Sequence, residues 1–431
     1  MTTQDVSNHR PVPTPISRPR RGGGRDNNGS ACDDVCSRGR IMEAQPRVSE
    51  RVRTIEKSAI HEMTRLSGQM KDVAFLSWAK PTSGTPAHIN DAAIAAIRDG
   101  VTAGYSPTSG LPALREEICT KLARDNDITA EPSEILVTVG AIEGLAAAVM
   151  AAIDPGDEVI LPSPTYSTHI RQVVIASGRP VFAPLVEEEG FRLDLEAVRA
   201  AVTPRTRAIV YCSPSNPTGT VFSESEFREL AAIALEHDLM IITDEAYEYF
   251  TYDGATHFSI GSLPELRGRV ISCFTFTKTY AMTGWRIGYL HAAAELIPQI
   301  TKAHIPLAIC APVVSQYAAL GALRGSQACV AEFREHYRAA RDLMCARLDR
   351  LTGIFDYQKP GGSYLMFPRI LVGEGRSDST AFCIRLLQEA GVSTTPGIAF
   401  GPTGQGHLRL SFCVTPEMID DAFDRMEAYF G

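Results

Sequence analysis

No stretch of about 18 consecutive apolar residues occurs in this chain, so no segment reads as a membrane-spanning helix. The N-terminus lacks the apolar core of a secretory signal. Positive charge is not in excess: 42 Lys and Arg stand against 50 Asp and Glu, for a net charge of −8. That balance favours solubility and gives no sign of a nucleic-acid partner. The ten cysteines show no zinc-ribbon spacing, and most lie in apolar runs such as "IVYCSP" and "VISCFTF", where a reduced thiol packs as a small hydrophobe. Cys32 and Cys36 fall in a segment of tail-like composition and are not read as metal ligands. No metal site is expected, and a reducing, cytoplasmic compartment is. No G-x-G-x-x-G follows the first strand, which argues against a dinucleotide-dependent dehydrogenase. There is no internal repeat.

What is present is ordinary globular composition: 431 residues, 44% hydrophobic and 21% charged, enough for two domains. Residues 1–45, with "HRPVPTPISRPRRGGGRDNNGS" and its basic group Arg18, Arg20 and Arg21, are rich in Pro, Gly and Arg and read as a disordered tail. Residues 46–86 read as an N-terminal segment packing on a smaller domain. From 87 to 305, apolar strands alternate with helices ("EILVTVG", "AIEGLAAAVMAAI", "EVILPSP", "RAIVYC", "LMIITDEAY", "RVISCFTFTK"). The pattern predicts an α/β domain with a mostly parallel sheet covered on both faces. Residues 306–431 read as a smaller α+β domain.

In open α/β sheets, ligands bind beyond the carboxyl ends of the strands, so the residues that follow each strand matter most. After "EILVTV" come Gly140, Ala141 and Ile142 at a helix start, where free backbone N–H groups suit a phosphate. Tyr166 follows "EVILPSP" and can lie over a flat ring. Asn216 sits between prolines in "SPSNPTG", a rigid turn that fixes where its amide points. Asp244 ends the apolar run "LMIIT", a costly place for a carboxylate without a partner, and Tyr247 follows it. "RVISCF" leads to Thr275, Thr277 and Lys278, then Arg286. Each element has an ordinary structural explanation on its own. Together they suit one ligand, a phosphorylated pyridine aldehyde.

The motifs "SPSNPTG", "TDEAY" and "TFTKTYAMTGWRIGY", in this order and spacing, resemble those of the pyridoxal-phosphate (PLP) aminotransferases of class I/II, the aspartate aminotransferase superfamily of fold type I. The resemblance runs over about residues 50–430. It implies a large domain with a mostly parallel seven-stranded sheet plus the smaller α+β domain, and a homodimer with shared active sites. It further implies that Lys278 forms the Schiff base with PLP and shuttles the substrate α-proton. Asp244 would pair with the ring nitrogen, and Asn216 and Tyr247 would bond the ring 3-oxygen. Tyr166 would stack on the ring. Arg286, Thr275 and Thr277 (threonines where the family commonly has serines) and the N–H groups of Ala141 and Ile142 would hold the phosphate. Tyr105, in "GYSPTSGLPALREEI", would reach the cofactor phosphate of the neighbouring subunit. Arg409, in "GHLRLSF", would grip the substrate α-carboxylate by a bidentate pair.

Two departures from the family pattern bear on substrate. "LSWAKP" has Ala79 where relatives have a glycine, with Trp78 beside it, either as part of a reshaped pocket or as core. "KAHIPLAICAPVVSQ", read as a loop, is nearly all apolar and offers no cation for a side-chain carboxylate; Ile142 and Glu143 stand where some relatives have a lysine. The expected reaction moves an amino group between a non-acidic L-amino acid and a 2-oxo acid, through the Lys278 aldimine and pyridoxamine phosphate. The alternative is another PLP reaction on the same scaffold: elimination or replacement, cyclisation, decarboxylation or oxidation. A PLP-binding transcription regulator is disfavoured, because the first 45 residues hold no helix-turn-helix pattern.

Overall fold

The computed structural model describes residues 48–55 and 59–431; the tail expected over 1–45, with Cys32 and Cys36, lies outside them. The β-rich runs become nine strands in the first two-thirds of the chain: β1 Ala74–Phe75, β2 Ile135–Thr138, β3 Glu158–Ser163, β4 Arg179–Val186, β5 Arg192–Leu193, β6 Thr206–Cys212, β7 Met240–Asp244, β8 Val270–Thr275 and β9 Gly288–Ala292. Eight of them form the large sheet, in the order β2-β9-β8-β7-β6-β3-β4-β5. The pairs β4–β3, β3–β6, β6–β7 and β7–β8 are parallel, and β9 runs antiparallel to both of its neighbours. The expected seven strands are all there. The eighth, β5, is a two-residue return antiparallel to β4. Gly190, at φ 79°, lets the chain turn back so soon.

The sheet is buried because helices cover both faces. Helix Gly140–Ala152 lays Ala141, Leu145, Ala148 and Val149 on one face, against Val159, Val210, Ile242 and Leu290. Helix Glu224–Glu236 lays Phe227, Leu230 and Ile233 on the other, against Ile209 and Ile241. Strands wrapped on both sides can be continuously apolar, which is why β2, β3 and β8 are buried at every position.

The register decides where the loops open. Asp244 stands opposite Cys212 on β6 and Cys273 on β8, so β6 and β7 end level, β8 runs two residues further to Thr275, and their following loops share one edge. Beyond the sheet, helix Val313–Arg324 packs in one core with helices Ala87–Arg98 and Pro112–Asp125, through Ala318, Ala319, Ala322, Ile89, Ala93, Leu114 and Ile118. The boundary read at 305/306 falls inside helix Ile297–Ala308. The switch to the C-terminal core comes within helix Ala328–Leu348, whose Val330 lies in the first core and whose Tyr337 and Met344 lie in the second. The segment "KAHIPLAICAPVVSQ" is mostly helical. It spans the end of helix Ile297–Ala308, a turn with Ile309 at φ 62°, and the start of the next helix.

The C-terminal region carries β10 Phe355–Asp356, β11 Leu365–Met366, β12 Arg369–Ile370, β13 Val392–Ser393, β14 Thr395–Pro396 and β15 Leu408–Ser411. The antiparallel set β11-β15-β14 places Arg409 opposite Thr395. Strand β1 pairs in parallel with β13, and Ser411 N–H donates to the Leu76 carbonyl at 2.8 Å. The N-terminal segment is thereby stitched to the C-terminal strands. Among the described residues no helix is long and apolar enough to cross a membrane.

Gly288, at the start of β9, lies at a close backbone approach. A Cβ there would lie 2.6 Å from the Phe274 carbonyl oxygen and 2.7 Å from the Ala141 nitrogen, both backbone atoms that cannot swing aside. Gly288→Ala is expected to destabilise the fold by about 1–3 kcal/mol, read as a lower denaturant midpoint. Gly284→Ala, with nothing within 4 Å of the added carbon, should stay within about 0.5 kcal/mol of the parent.

Candidate active site

A cavity of about 500 Å³ opens at the carboxyl ends of the parallel strands. Lys278 stands on the four-residue helix Phe276–Thr279, started by Thr275, whose Oγ1 accepts from Thr277 N–H at 3.1 Å. This cap sends the chain away from β8 directly under the cavity. Lys278 Nζ donates to the Ala79 carbonyl at 2.9 Å and has the rings of Tyr247 and Tyr364 at 5.9 and 5.6 Å. Burial pushes its amine down to about 8, with further contributions from neighbouring charges.

Arg409 is also buried. Its Nη2 donates to the Ser77 carbonyl at 2.7 Å, its Nη1 lies 3.3 Å from Asn216 Oδ1, and its guanidinium sits 5.1 Å from the Phe400 ring centre. Its Nε has no partner. Burial lowers its affinity for the proton, the expected direction for a desolvated cation. No carboxylate of the chain answers either Lys278 or Arg409 with a hydrogen bond or ion pair among the described residues.

Asp244, 5% exposed, has Oδ2 at 3.4 Å from His169 Nε2 and Oδ1 accepting from Ala246 N–H at 3.3 Å. His169 is fully buried, with Nδ1 at 3.3 Å from Thr165 Oγ1 and its ring edge-on to Tyr166 at 5.4 Å. Burial raises the Tyr166 and Tyr247 hydroxyls, so both stay protonated donors.

At the other end, Arg286 has a left-handed backbone, at φ 51° and ψ 58°. Its side chain lies over the start of helix Gly140–Ala152: a Cβ on Gly140 would come within 2.6 Å of Arg286 Nη2. Gly140, itself at φ 72°, is thus the one residue that admits both the turn and the guanidinium. Ala141, Ile142, Thr275, Thr277 and Arg286 line this end of the cavity.

The structure therefore brings together Trp78, Ala79, Ala141, Ile142, Tyr166, Asn216, Asp244, Tyr247, Thr275, Thr277, Lys278, Arg286 and Arg409 around one space. Tyr105 is not among them; it is 82% exposed. Trp78, left open between pocket and core, lines the cavity, 40% exposed and with its ring 4.9 Å from Phe75. Several members were missed. His169 lies in the first turn of helix Ser167–Ile175, three residues after its N-cap Tyr166, a spacing that brings the two rings together. Tyr364 donates to the Ala79 carbonyl at 3.0 Å, and Ile60 and His61 line the cavity; nothing local in the sequence marks these. Lys80, which stands beside Ala79 in "LSWAKP", lines the cavity too.

The donor set fits a phosphorylated pyridine. A buried amine shares the cavity with a carboxylate, with an arginine laid on a helix start and with a second arginine that no carboxylate pairs. No group of three or more His, Cys, Asp or Glu suited to a metal occurs among the described residues.

Residues 72–426 match the family described as aminotransferase class I and II. The chain is 38% identical over 383 residues to the aspartate aminotransferase of Pyrococcus abyssi, covering 88% of this chain and 97% of that one. It is 36% identical over 383 residues to aromatic-amino-acid aminotransferase 2 of Thermococcus litoralis, with the same coverages of 88% and 97%. The crystal structure of an aromatic aminotransferase from Pyrococcus horikoshii superposes with a TM-score of 0.80 at 37% identity, over 85% of this chain and 98% of that one.

An amine lowered to about 8 is increasingly the free base as pH rises through that value. Trapping of Lys278 by a small aldehyde and cyanoborohydride in cofactor-stripped protein should therefore rise with a midpoint near pH 8, read by peptide mass spectrometry. Exposed lysines should follow a midpoint above about pH 10; the same midpoint at Lys278 would contradict its burial.

Proposed function

The chain belongs to the aminotransferase class I and II family, and from that membership we propose that it transfers an amino group between a non-acidic L-amino acid and a 2-oxo acid, with PLP held at Lys278. The observation that carries this reading is a pair of buried cations, Lys278 and Arg409, facing one cavity without a carboxylate of their own.

When bound, PLP supplies a ring that accepts the electron pair released at the substrate α-carbon. Lys278 Nζ, inside the cavity, would hold the cofactor by its aldehyde and would move the proton at the substrate α-carbon. Its amine, lowered to about 8, is matched to that work near neutral pH. Asp244 would hold a proton on the ring nitrogen, and His169 stands beside its Oδ2 to fix its position. Asn216 has its carbonyl oxygen turned to Arg409, which leaves its amide N–H for the ring oxygen, where Tyr247 adds a hydroxyl. Tyr166, on the cavity wall, would cover the ring.

Arg286, Thr275, Thr277 and the N–H groups of Ala141 and Ile142 take the phosphate. Tyr105 completes the phosphate site of a second subunit, so the working unit is a homodimer; its exposure in a single chain agrees with such a role.

Arg409 takes the substrate α-carboxylate by its two-pronged face, and the Ala79 segment closes over it. Trp78 and Ile60 give the side-chain end an apolar wall, which favours an aromatic or aliphatic donor. Lys80, on the same wall, is available to an acidic 2-oxo acid in the return half-reaction.

Stoichiometric addition of single amino acids should convert the bound cofactor to its amine form, followed by loss of the visible absorbance band, with aromatic or aliphatic donors faster than aspartate. Faster conversion by aspartate would overturn the donor assignment, and turnover without a 2-oxo acid would overturn the transfer reaction. Arg409→Ala should raise KM for the amino acid by about 10- to 100-fold, the worth of a charge-assisted bond. Lys278→Ala should abolish turnover.

A further inference from the structure

The first turn of helix Gly140–Ala152 poses a problem. It is the anion-binding end of the helix, yet it carries a carboxylate, Glu143. A carboxylate there interacts well with the helix dipole. Left free to rotate, it would also compete with any bound phosphate for the same N–H groups and repel it through space.

The structure shows how Glu143 is kept out of the way. Its Oε2 accepts from Val139 N–H at 3.1 Å, one residue before the turn at Gly140. Its Oε1 lies 2.8 Å from His304 Nδ1. The His304 side chain is fully buried on helix Ile297–Ala308, and that of Glu143 is 12% exposed. The two oxygens are thus engaged by two fixed groups, neither of which is Ala141 or Ile142. On the other side of the turn, Gln172 Nε2 donates to the Ile142 carbonyl at 2.8 Å. The turn is pinned from both flanks, and its remaining N–H groups are left to the cavity. His304 does not line the cavity, and none of the roles assigned above uses it.

We propose that His304 is a positioning residue for the cofactor phosphate, acting through Glu143 to fix the turn at Val139–Ile142 and to hold the Glu143 carboxylate away from the anion. This rests on the placement of the phosphate proposed above. Removing the His304 ring frees Glu143 to swing toward the phosphate. Removing the charge on Glu143 at the same time makes the loss of His304 matter less, so the two substitutions are coupled.

The test uses cofactor-stripped full-length protein titrated with PLP and, separately, with pyridoxal, which lacks the phosphate. His304→Leu should raise the dissociation constant for PLP by about tenfold and leave that for pyridoxal unchanged. It should also move the phosphorus-31 resonance of the bound phosphate. His304→Gln, whose amide can donate to Glu143, should recover most of the affinity, and Glu143→Gln/His304→Leu should bind PLP more tightly than His304→Leu alone. Unchanged PLP affinity in His304→Leu, or equal losses for PLP and pyridoxal, would overturn the proposal. So would a His304→Gln variant as weak as His304→Leu, which keeps the test open if the leucine variant does not fold. A parent protein that binds PLP no better than pyridoxal would instead remove the phosphate placement itself, and this inference with it.

Discussion

The site depends on two cations taken out of water with only neutral acceptors, chiefly backbone carbonyls, to receive them. Lys278 donates to the carbonyl of Ala79 and Arg409 to that of Ser77. Both carbonyls belong to the short segment that leaves β1. Burying a charge without a counter-charge is costly, and a dipole such as a carbonyl offsets only part of that cost. The unmet remainder points to an anionic ligand, and it is concentrated in one cavity. The segment Ser77–Lys80 can perform this role only because β1 is paired with β13 and Leu76 accepts from Ser411.

Around this pair the other groups are held by constraints that have little to do with chemistry. Asp244 is level with Cys212 and Cys273 because three parallel strands share a register. Arg286 reaches the start of helix Gly140–Ala152 because Gly140 lacks a side chain that would block it. Asn216 presents its amide because Arg409 takes its oxygen. Packing thus decides orientation, and the polar groups come to the cavity already aimed. Such pre-organisation is what an electrostatic site needs, since donors fixed in advance pay no reorganisation when the ligand arrives.

Much of this was legible in the sequence. The alternation of apolar runs with helices predicts the sheet, and the residues standing just after the strands (Tyr166, Asn216, Asp244, Lys278) are the ones the cavity gathers. That reading works because a parallel sheet leaves its functional edge at the strand ends, a purely topological fact. The eighth strand was not legible, since two residues returning through Gly190 carry no periodicity. The helical state of "KAHIPLA" was hidden by Pro306, a residue that removes an i→i−4 hydrogen bond and yet lies inside this helix. His169, Tyr364 and His304 were also missed, because each acts through a neighbour distant in sequence.

The sequence by itself determined the residue types and their order along the chain: a lysine after one strand, an aspartate after another, an arginine near the C-terminus. These follow from local pattern, and local pattern is what hydrophobic periodicity and turn chemistry encode. Only the tertiary structure decided that Arg409 and Lys278 share a cavity, that Trp78 lines it rather than the core, and that Glu143 is turned away by His304. Those outcomes depend on side chains more than a hundred residues apart meeting in a dry interior. Their energies exist only once the chain has closed around them.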